Sequence, residues 1–420
     1  MQQAPDAVPA EVTTAVQDAI EAAGPGLVRL SHDVHAAAEI GFAEHRSVQL
    51  VHDHLAAHGV DLEVGVHGLP TAFRAALGSG GPRVAILAEY DALPGIGHGC
   101  GHNVICATAV GAFVGLAPVV DRLGGSVLLL GTPAEENGSG KELMARAGAF
   151  DGIDAVLMLH PFAGDDVADF TALGCRVVEV TYRGVPAHAS ATPHLGRNAL
   201  DAVVAAYQGL AALRQHIPRD DRVHAIVTEG GAAVNVVPAL ARATVMLRSP
   251  SVEGLLDLTE RVQAVLDGAA LLTGTTVEAA WDPAPPYLPV RTNGPLAERY
   301  AAHMTARGRT VRAAEALPSG GGGSTDLGNI SLRVPAIHPM LGIAPPSAGM
   351  HTAAFAEHAA SPLADRGVLD GALGLALTAV DFLGDPGLRD AVVADFVAAG
   401  GALDVAALLA SVARPAPRTA

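Results

Sequence analysis

The fold is decided by three apolar stretches, Arg83-Val-Ala-Ile-Leu87, Ser126-Val-Leu-Leu-Leu130 and Ala155-Val-Leu-Met-Leu159. Each has the length and the continuous apolar character of a buried strand. Helical sequence follows the first two, over 104–117 and near 140–147. Apolar strands that alternate with helices are typical of parallel sheets. The sequence therefore predicts an α/β domain with a mostly parallel sheet and helices on both faces.

The middle of the chain has a different order of elements. Strand-like and helix-like stretches follow one another as βαββαβ, over 176–182, 198–215, 222–228, 240–248, 252–266 and 275–280. This is the arrangement of a small ferredoxin-like α+β domain. We therefore expect one large domain in two parts, 1–175 and 291–420, with a second domain inserted at 176–290.

The composition is that of a globular, acidic chain. Half of its 420 residues are hydrophobic, 16% are charged, and the net charge is −17. Because such a surface repels phosphate backbones and anionic lipid, we expect neither a nucleic-acid nor a membrane partner. The first 20 residues do not resemble a secretory signal, and Cys100, Cys106 and Cys175 are too few for a disulfide scaffold. We therefore expect a cytoplasmic location.

The sequence His98-Gly-Cys-Gly-His-Asn103 is the strongest candidate for a metal site. Cys100 and His102 stand two residues apart among glycines that permit a tight loop. Thiolate and imidazole are good ligands for a divalent ion such as zinc. A buried cysteine beside a turn would have the same local sequence, so this segment alone leaves both interpretations open.

Polar residues follow each of the three predicted strands. Asp91 comes after the first strand, Glu135 and Glu136 after the second, and His160 after the third. An adjacent carboxylate pair is usually a solvated loop, and a lone histidine is usually structural. Ligands of open α/β sheets, however, gather at the carboxyl ends of the strands, so convergence on this edge favours a site. One carboxylate of the pair could bind a metal while the other acts as a general base.

Two further histidines are ambiguous from their positions. His188 lies in Gly184-Val-Pro-Ala-His-Ala-Ser190, near the start of the inserted domain, and His351 lies in a loop before helical sequence. From position alone, His188 is more typical of an ordinary surface histidine, and His351 fits that interpretation and a site residue equally well.

These motifs run in one order along nearly the whole chain. The order is Glu89-Tyr-Asp-Ala-Leu-Pro94, HGCGHN, TPAEEN, LHP, GVPAHAS, Asn235-Val-Val-Pro238, GSTDLGN and the late His351. The ordered set resembles the dinuclear metallo-exopeptidase family that includes aminoacylases, carboxypeptidase G and the auxin-conjugate amidohydrolases. The form GIGHGCGHN is most similar to the branch with p-aminobenzoyl-glutamate hydrolase and Xaa-Arg dipeptidases.

The resemblance implies a two-metal site on the large domain, filled by zinc or manganese, and an inserted lid domain that forms a homodimer. It implies five metal ligands, namely Cys100, His102, Glu136, His160 and His351. It also implies that Glu135 is the general base and that Asp91 orients a ligand. His188 matches a lid histidine that steadies the oxyanion and, in relatives, reaches the partner subunit's site.

The implied substrate is a small amide that carries a carboxylate, such as an N-acyl amino acid, an aminobenzoyl-amino acid or a dipeptide. Asn235 and Arg248 match lid positions that contact the substrate carbonyl or carboxylate. Glu89 is a departure, because peptidases of the family carry a ligating histidine there; we expect the Cys100 and His102 pair to compensate.

Two other interpretations compete with an amidohydrolase. A catalytically inactive, metal-stabilised dimeric scaffold or binding paralogue is disfavoured because the expected base and ligands are all present. A two-metal phosphoesterase is disfavoured by the cysteine in the ligand set and by the scarcity of lysine, since Lys141 is the only one in the chain.

Overall fold

A computed structural model describes residues 9–314 and 323–412 of the chain. Its helices are α1 (Ala10–Ala37), α2 (His45–Ala57), α3 (His102–Leu116), α4 (Val120–Leu123), α5 (Glu135–Gly138), α6 (Gly140–Arg146), α7 (Ala199–Leu213), α8 (Val252–Thr273), α9 (Gly294–Ala306), α10 (Leu327–Ser331), α11 (Ala353–His358), α12 (Pro362–Gly384), α13 (Pro386–Ala398) and α14 (Val405–Val412).

The strands are shorter and more evenly spread along the chain. They are β1 (Glu63–Val64), β2 (Phe73–Gly78), β3 (Arg83–Ala88), β4 (Ser126–Gly131), β5 (Ala155–Leu157), β6 (His160–Ala163), β7 (Asp166–Val167), β8 (Gly174–Arg183), β9 (Arg222–Glu229), β10 (Leu240–Ser249), β11 (Thr276–Trp281), β12 (Val311–Arg312), β13 (Ala336–Ile337) and β14 (Met340–Ala344).

The chain divides into two compact units. The first contains the described residues of Met1–Thr171, Val290–Pro318 and Asn329–Leu403. The second contains those of Ala172–Pro289, Ser319–Gly328 and Asp404–Ala420.

The first unit is built on a six-stranded sheet of order β1-β2-β4-β3-β5-β13. The strands β4, β3, β5 and β13 pair in parallel, which confirms the predicted α/β class with a mostly parallel sheet. The sequence pattern does not predict the antiparallel edge formed by β1 and β2. A small second sheet of order β12-β7-β14-β6 continues from the end of the first, because β6 starts directly after the loop that follows β5.

Three helices form the centre of the first unit's core. Every residue of α3 is buried, and α3 packs against α1, α12 and β3. Helix α12 is long and apolar enough to cross a membrane, but 78% of its apolar stretch is buried inside the protein. Its contacts with α1, α3 and α9 make it a core helix of this unit.

The second unit confirms the predicted βαββαβ order. Its elements run β8, α7, β9, β10, α8 and β11, and its antiparallel sheet has the order β11-β8-β10-β9 of a ferredoxin-like fold. Helix α8 begins where the Ser251 hydroxyl accepts a hydrogen bond from the Gly254 N–H, and it ends at the left-handed Gly274.

A buried arginine on β8, Arg176, pairs with the residue that directly follows β11, Asp282. The Arg176 side chain is 1% exposed and donates to Asp282 through Nε at 3.2 Å and Nη2 at 2.5 Å. It also donates to Thr259 Oγ1 at 3.1 Å and stacks over Trp281, with 5.0 Å from Cζ to the ring centroid. The bidentate geometry offsets much of the free energy needed to remove both charges from water.

We predict that Arg176→Met lowers the free energy of unfolding of this unit by about 3–5 kcal/mol, because Asp282, only 13% exposed, keeps its charge without its partner. Chemical denaturation measures the loss. The matched control is Arg183→Met on the same strand, which breaks an exposed pair with Glu278 at 4.0 Å and is expected to cost about 0–1 kcal/mol. Equal losses for the two variants would contradict this assignment.

Candidate active site

The sheet register brings the strand ends of β3 and β4 side by side. Ala88 pairs with Gly131 as the last residues of the two strands, and the Thr132 N–H donates to the Ala88 carbonyl at 2.8 Å. The segments that follow therefore leave the sheet at one edge. This is the edge at which the sequence predicts that Asp91 and the Glu135–Glu136 pair meet.

Asp91 connects two of the predicted site residues. Its side chain is fully buried; Oδ1 accepts a hydrogen bond from His102 Nδ1 at 2.9 Å, and Oδ2 accepts one from the Glu136 N–H at 3.0 Å. Burial alone would raise the pKa of Asp91, but His102 outweighs it and holds the pKa below its usual value. Asp91 therefore remains an anion that fixes the positions of both neighbours.

His102 is the first residue of α3. Gly101 precedes it with a φ of 76°, a left-handed conformation that glycine adopts without strain. Because Nδ1 donates to Asp91, the opposite ring nitrogen Nε2 faces the site, 3.4 Å from Glu89 Oε2 and 3.9 Å from both Glu135 Oε2 and Glu136 Oε1. Burial acts against the charged ring, yet Asp91 and Glu89 raise the pKa of His102 well above its usual value.

His160 presents its ring in the same way. Nδ1 donates to the Pro161 carbonyl at 2.7 Å, which leaves Nε2 as the free acceptor of a neutral ring. The ring lies edge-on to that of His102, with centroids 5.7 Å apart. Burial and the neighbouring His102 lower the pKa of His160 to about 4, so the neutral ligand form prevails at pH 7.

His351 comes from a strained loop. Its φ of 62° is in the left-handed region, where a non-glycine residue costs free energy, and its N–H donates to the Gly99 carbonyl at 2.9 Å. The side chain is 60% exposed, and Nε2 lies 4.0 Å from Glu136 Oε2. The backbone thus holds His351 at the outer side of the site.

The predicted ligands form three overlapping groups in which the ligand atoms lie within 4.8 Å of one another. The groups are Cys100 with His102 and His160, Cys100 with Glu136 and His351, and His102 with Glu135 and Glu136. Sulfur, imidazole nitrogen and carboxylate oxygen are the donors that bind zinc and similar divalent ions.

Two buried atoms without hydrogen-bond partners indicate whether these groups suit a metal. Within the described residues, His102 Nε2 and Glu136 Oε1 are both buried without a hydrogen-bond partner. A buried polar atom with no partner is costly, and a cation between such atoms would remove that cost. Burial also raises the pKa of the Cys100 thiol. A metal would stabilise its thiolate form. The donor set therefore fits a divalent cation.

His338, for which the sequence motifs indicate no role, lines the same region. This histidine is 2% exposed, and its ring centroid is 5.5 Å from that of His160. Neither of its ring nitrogens has a hydrogen-bond partner in the part of the chain that the structure describes. A signal was present in the sequence, because both histidines follow a short apolar strand and precede a proline. The two strands, β5 and β13, are parallel neighbours.

Three predicted residues belong to the second unit. His188 Nδ1 accepts hydrogen bonds from the backbone N–H groups of Ser190 at 3.3 Å and Ala191 at 3.2 Å, so the ring proton is on Nε2. The loop of Asn235 runs beside it, since the Asn235 carbonyl accepts from the Ala189 N–H at 3.0 Å. Arg248 lies on β10.

Arg248 has a partner of its own. Its Nη1 donates to Ser324 Oγ at 2.7 Å, and its side chain is partly exposed. The second unit thus presents an imidazole N–H from His188 and a partly buried guanidinium from Arg248.

Comparison with known proteins identifies the family. The profile of Peptidase family M20/M25/M40 matches residues 85–362. The chain is 37% identical over 395 residues to the Xaa-Arg dipeptidase of Mus musculus, covering 90% of both chains. It is 36% identical over 303 residues to a p-aminobenzoyl-glutamate hydrolase chain of Escherichia coli, covering 67% of this chain and 63% of that one.

A solved structure agrees in fold. A Bacillus subtilis protein, described as a dinuclear metal-binding peptidase of the M20 family, aligns with a TM-score of 0.68 at 22% identity, covering 86% of this chain and 99% of that one. With the sequence matches, this places the ordered motifs on the expected fold. The chain therefore belongs to Peptidase family M20/M25/M40 and is a hydrolase.

Proposed function

We propose that this chain is a two-metal amidohydrolase that cleaves the amide bond of a small, carboxylate-bearing substrate. The observation that carries the proposal is the convergence of thiol, imidazole and carboxylate donors at one sheet edge, with Glu135 beside them. Cys100, His102, Glu136, His160 and His351 hold the cations. Because thiolate favours zinc and carboxylate suits manganese, either ion fits this donor set.

Cations bound by these residues would supply Lewis acidity to polarise the amide carbonyl and acidify water. Glu135 is the general base. Its side chain is 8% exposed, and the left-handed residue before it, Ala134 with a φ of 58°, sets its direction at the start of α5. Glu135 takes a proton as the water oxygen bonds to the carbonyl carbon. It then delivers that proton to the amine nitrogen as the carbon–nitrogen bond breaks.

The remaining polar residues orient the ligands and the substrate and stabilise the oxyanion. Asp91 fixes the ring of His102 and the backbone of Glu136. His188 donates its Nε2–H to the oxyanion. We assign to Asn235 and Arg248 the recognition of the substrate carbonyl and carboxylate, because a guanidinium is suited to bind a carboxylate.

The proposed function also includes a location, an oligomeric state and the first substrates to test. We propose a cytoplasmic homodimer, formed through the domain at 176–290, in which His188 serves the partner subunit's site. The relatives named for Xaa-Arg dipeptides and p-aminobenzoyl-glutamate make these two the first substrate classes to test.

The first prediction from the proposed function concerns the substrate. A panel of Xaa-Arg and β-alanyl dipeptides, p-aminobenzoyl-glutamate, N-acyl amino acids and auxin conjugates is incubated with enzyme plus Mn²⁺ or Zn²⁺. Amine release is followed by mass spectrometry. We expect release from one class and its loss after chelation. Release that survives complete removal of metal would refute the metal-dependent reaction. Bound metal without release from any substrate would instead favour the inactive scaffold.

The second prediction concerns the base. Glu135→Gln is expected to lower kcat by about 10²–10⁴-fold, because the amide cannot accept the proton. Bound metal, measured by elemental analysis, should stay at the wild-type level. The control is Glu298→Gln, an exposed glutamate on α9, for which we expect the wild-type rate. A near-normal rate in metal-loaded Glu135→Gln would remove this residue from the role.

The third prediction concerns His188. We expect His188→Ala to have little activity, and we expect a mixture with Glu135→Gln to recover part of it. A hybrid dimer then contains one site with both an intact base and an intact partner histidine. Activity is measured after subunit exchange, which differently tagged subunits make visible. Exchange without recovery would show that His188 acts within its own subunit or not at all.

A further inference from the structure

The only lysine of the chain is buried next to the candidate active site. Lys141 lies in the first turn of α6, and its side chain is fully buried. Its Nζ donates a short hydrogen bond to Oε1 of Glu89, whose side chain is also fully buried. A buried ammonium and a buried carboxylate each cost free energy to desolvate, and their pairing offsets much of that cost.

The second oxygen of Glu89 is not used by this pair. Among the described residues, Glu89 Oε2 is buried without a hydrogen-bond partner and lies 3.4 Å from His102 Nε2, which also lacks one. Carboxylate oxygens of Glu89 and Glu135 also lie within 4.8 Å of each other. Glu89 therefore directs one oxygen at the atoms that we assign to metal binding.

The distance between the two unpartnered atoms has a specific meaning. Two donors that each lie 2.0–2.2 Å from a tetrahedral zinc ion are about 3.4 Å apart. Glu89 Oε2 and His102 Nε2 have this separation. If the ion pair served only to stabilise the fold, a carboxylate with both oxygens hydrogen-bonded would stabilise it more. The unpartnered Oε2 of Glu89 therefore indicates another role.

We propose that Glu89 is a further metal ligand of this site and that Lys141 is the positioning residue that holds it. Lys141 occupies Oε1 and so turns Oε2 toward His102, and its charge balances the extra carboxylate. The inference rests on the proposed function, because it assumes that the site binds divalent cations. It adds Glu89 to the Cys100 and His102 pair, which the resemblance implies would compensate for the histidine of related peptidases.

The test compares three variants of the full-length protein, Glu89→Gln, Lys141→Met and the double variant that carries both. Metal affinity is measured by competing Mn²⁺ or Zn²⁺ against a chelating dye, and the thermal midpoint is measured on the metal-free proteins. Glu89→Gln should weaken metal binding at least 10-fold and lower the midpoint, because Lys141 loses the negative charge of its Glu89 partner. The double variant should recover the midpoint, since the pair is now neutral, but keep the weakened affinity.

The role of Lys141 has its own readout in the absorption spectrum of the Co²⁺-substituted protein. We expect Lys141→Met to change the cobalt bands in the wild-type background and to leave them unchanged in the Glu89→Gln background, because the two residues act as one unit. The matched control is Arg309→Met, which breaks a buried pair with Asp166 in the same unit. It should lower the midpoint and leave affinity and spectrum unchanged.

Wild-type affinity in the double variant would show that Glu89 is only the structural partner of Lys141 and would overturn the proposal. The same spectral change in both backgrounds, or none in either, would overturn the role of Lys141. Failure of the proposed function is distinguishable: a wild-type protein that bound no metal would contradict both proposals, whereas one that bound metal but cleaved no amide would contradict the proposed function alone.

Discussion

The candidate active site depends on one buried carboxylate. Asp91 accepts hydrogen bonds from His102 Nδ1 and from the Glu136 N–H, so it connects the end of β3 to the first turns of α3 and α5. His102 and Glu136 lie 11 and 45 residues after Asp91, and Asp91 gives both a common reference. Because one oxygen serves each neighbour, a small displacement of Asp91 would move an imidazole and a glutamate together.

The backbone supports this arrangement with strain at defined points. Ala134 and His351 both have left-handed φ angles. The first sets the direction of the Glu135 side chain that follows it, and the second sets the direction of the His351 side chain itself. Such conformations persist only where the surrounding structure holds them. The buried sheet and the fully buried α3 supply that rigidity, so precision at the site derives from packing beneath it.

The charge of this region favours the binding of cations. Glu89, Asp91, Glu135 and Glu136 bring four carboxylates to one poorly exposed site. The positive groups that contact them there include His102 and the ammonium of Lys141. Carboxylates this close repel one another strongly in a medium of low dielectric constant. Divalent cations would remove both this repulsion and the free-energy cost of the unpartnered buried atoms. The electrostatics of the site therefore support the proposed metal-dependent chemistry.

The sequence alone determined the features that depend on neighbouring residues. Continuous apolar strands predicted the parallel sheet, and the βαββαβ order predicted the ferredoxin-like unit. The positions of polar residues directly after the strands predicted that they would meet at the carboxyl edge. Only the tertiary structure decided the antiparallel place of β2, the pairing of β13 that buries His338 beside His160, and the contact of Lys141 with Glu89. The reason is physical: strand and helix character depends on neighbouring residues, whereas these contacts join segments separated by tens to hundreds of residues, and packing alone selects them.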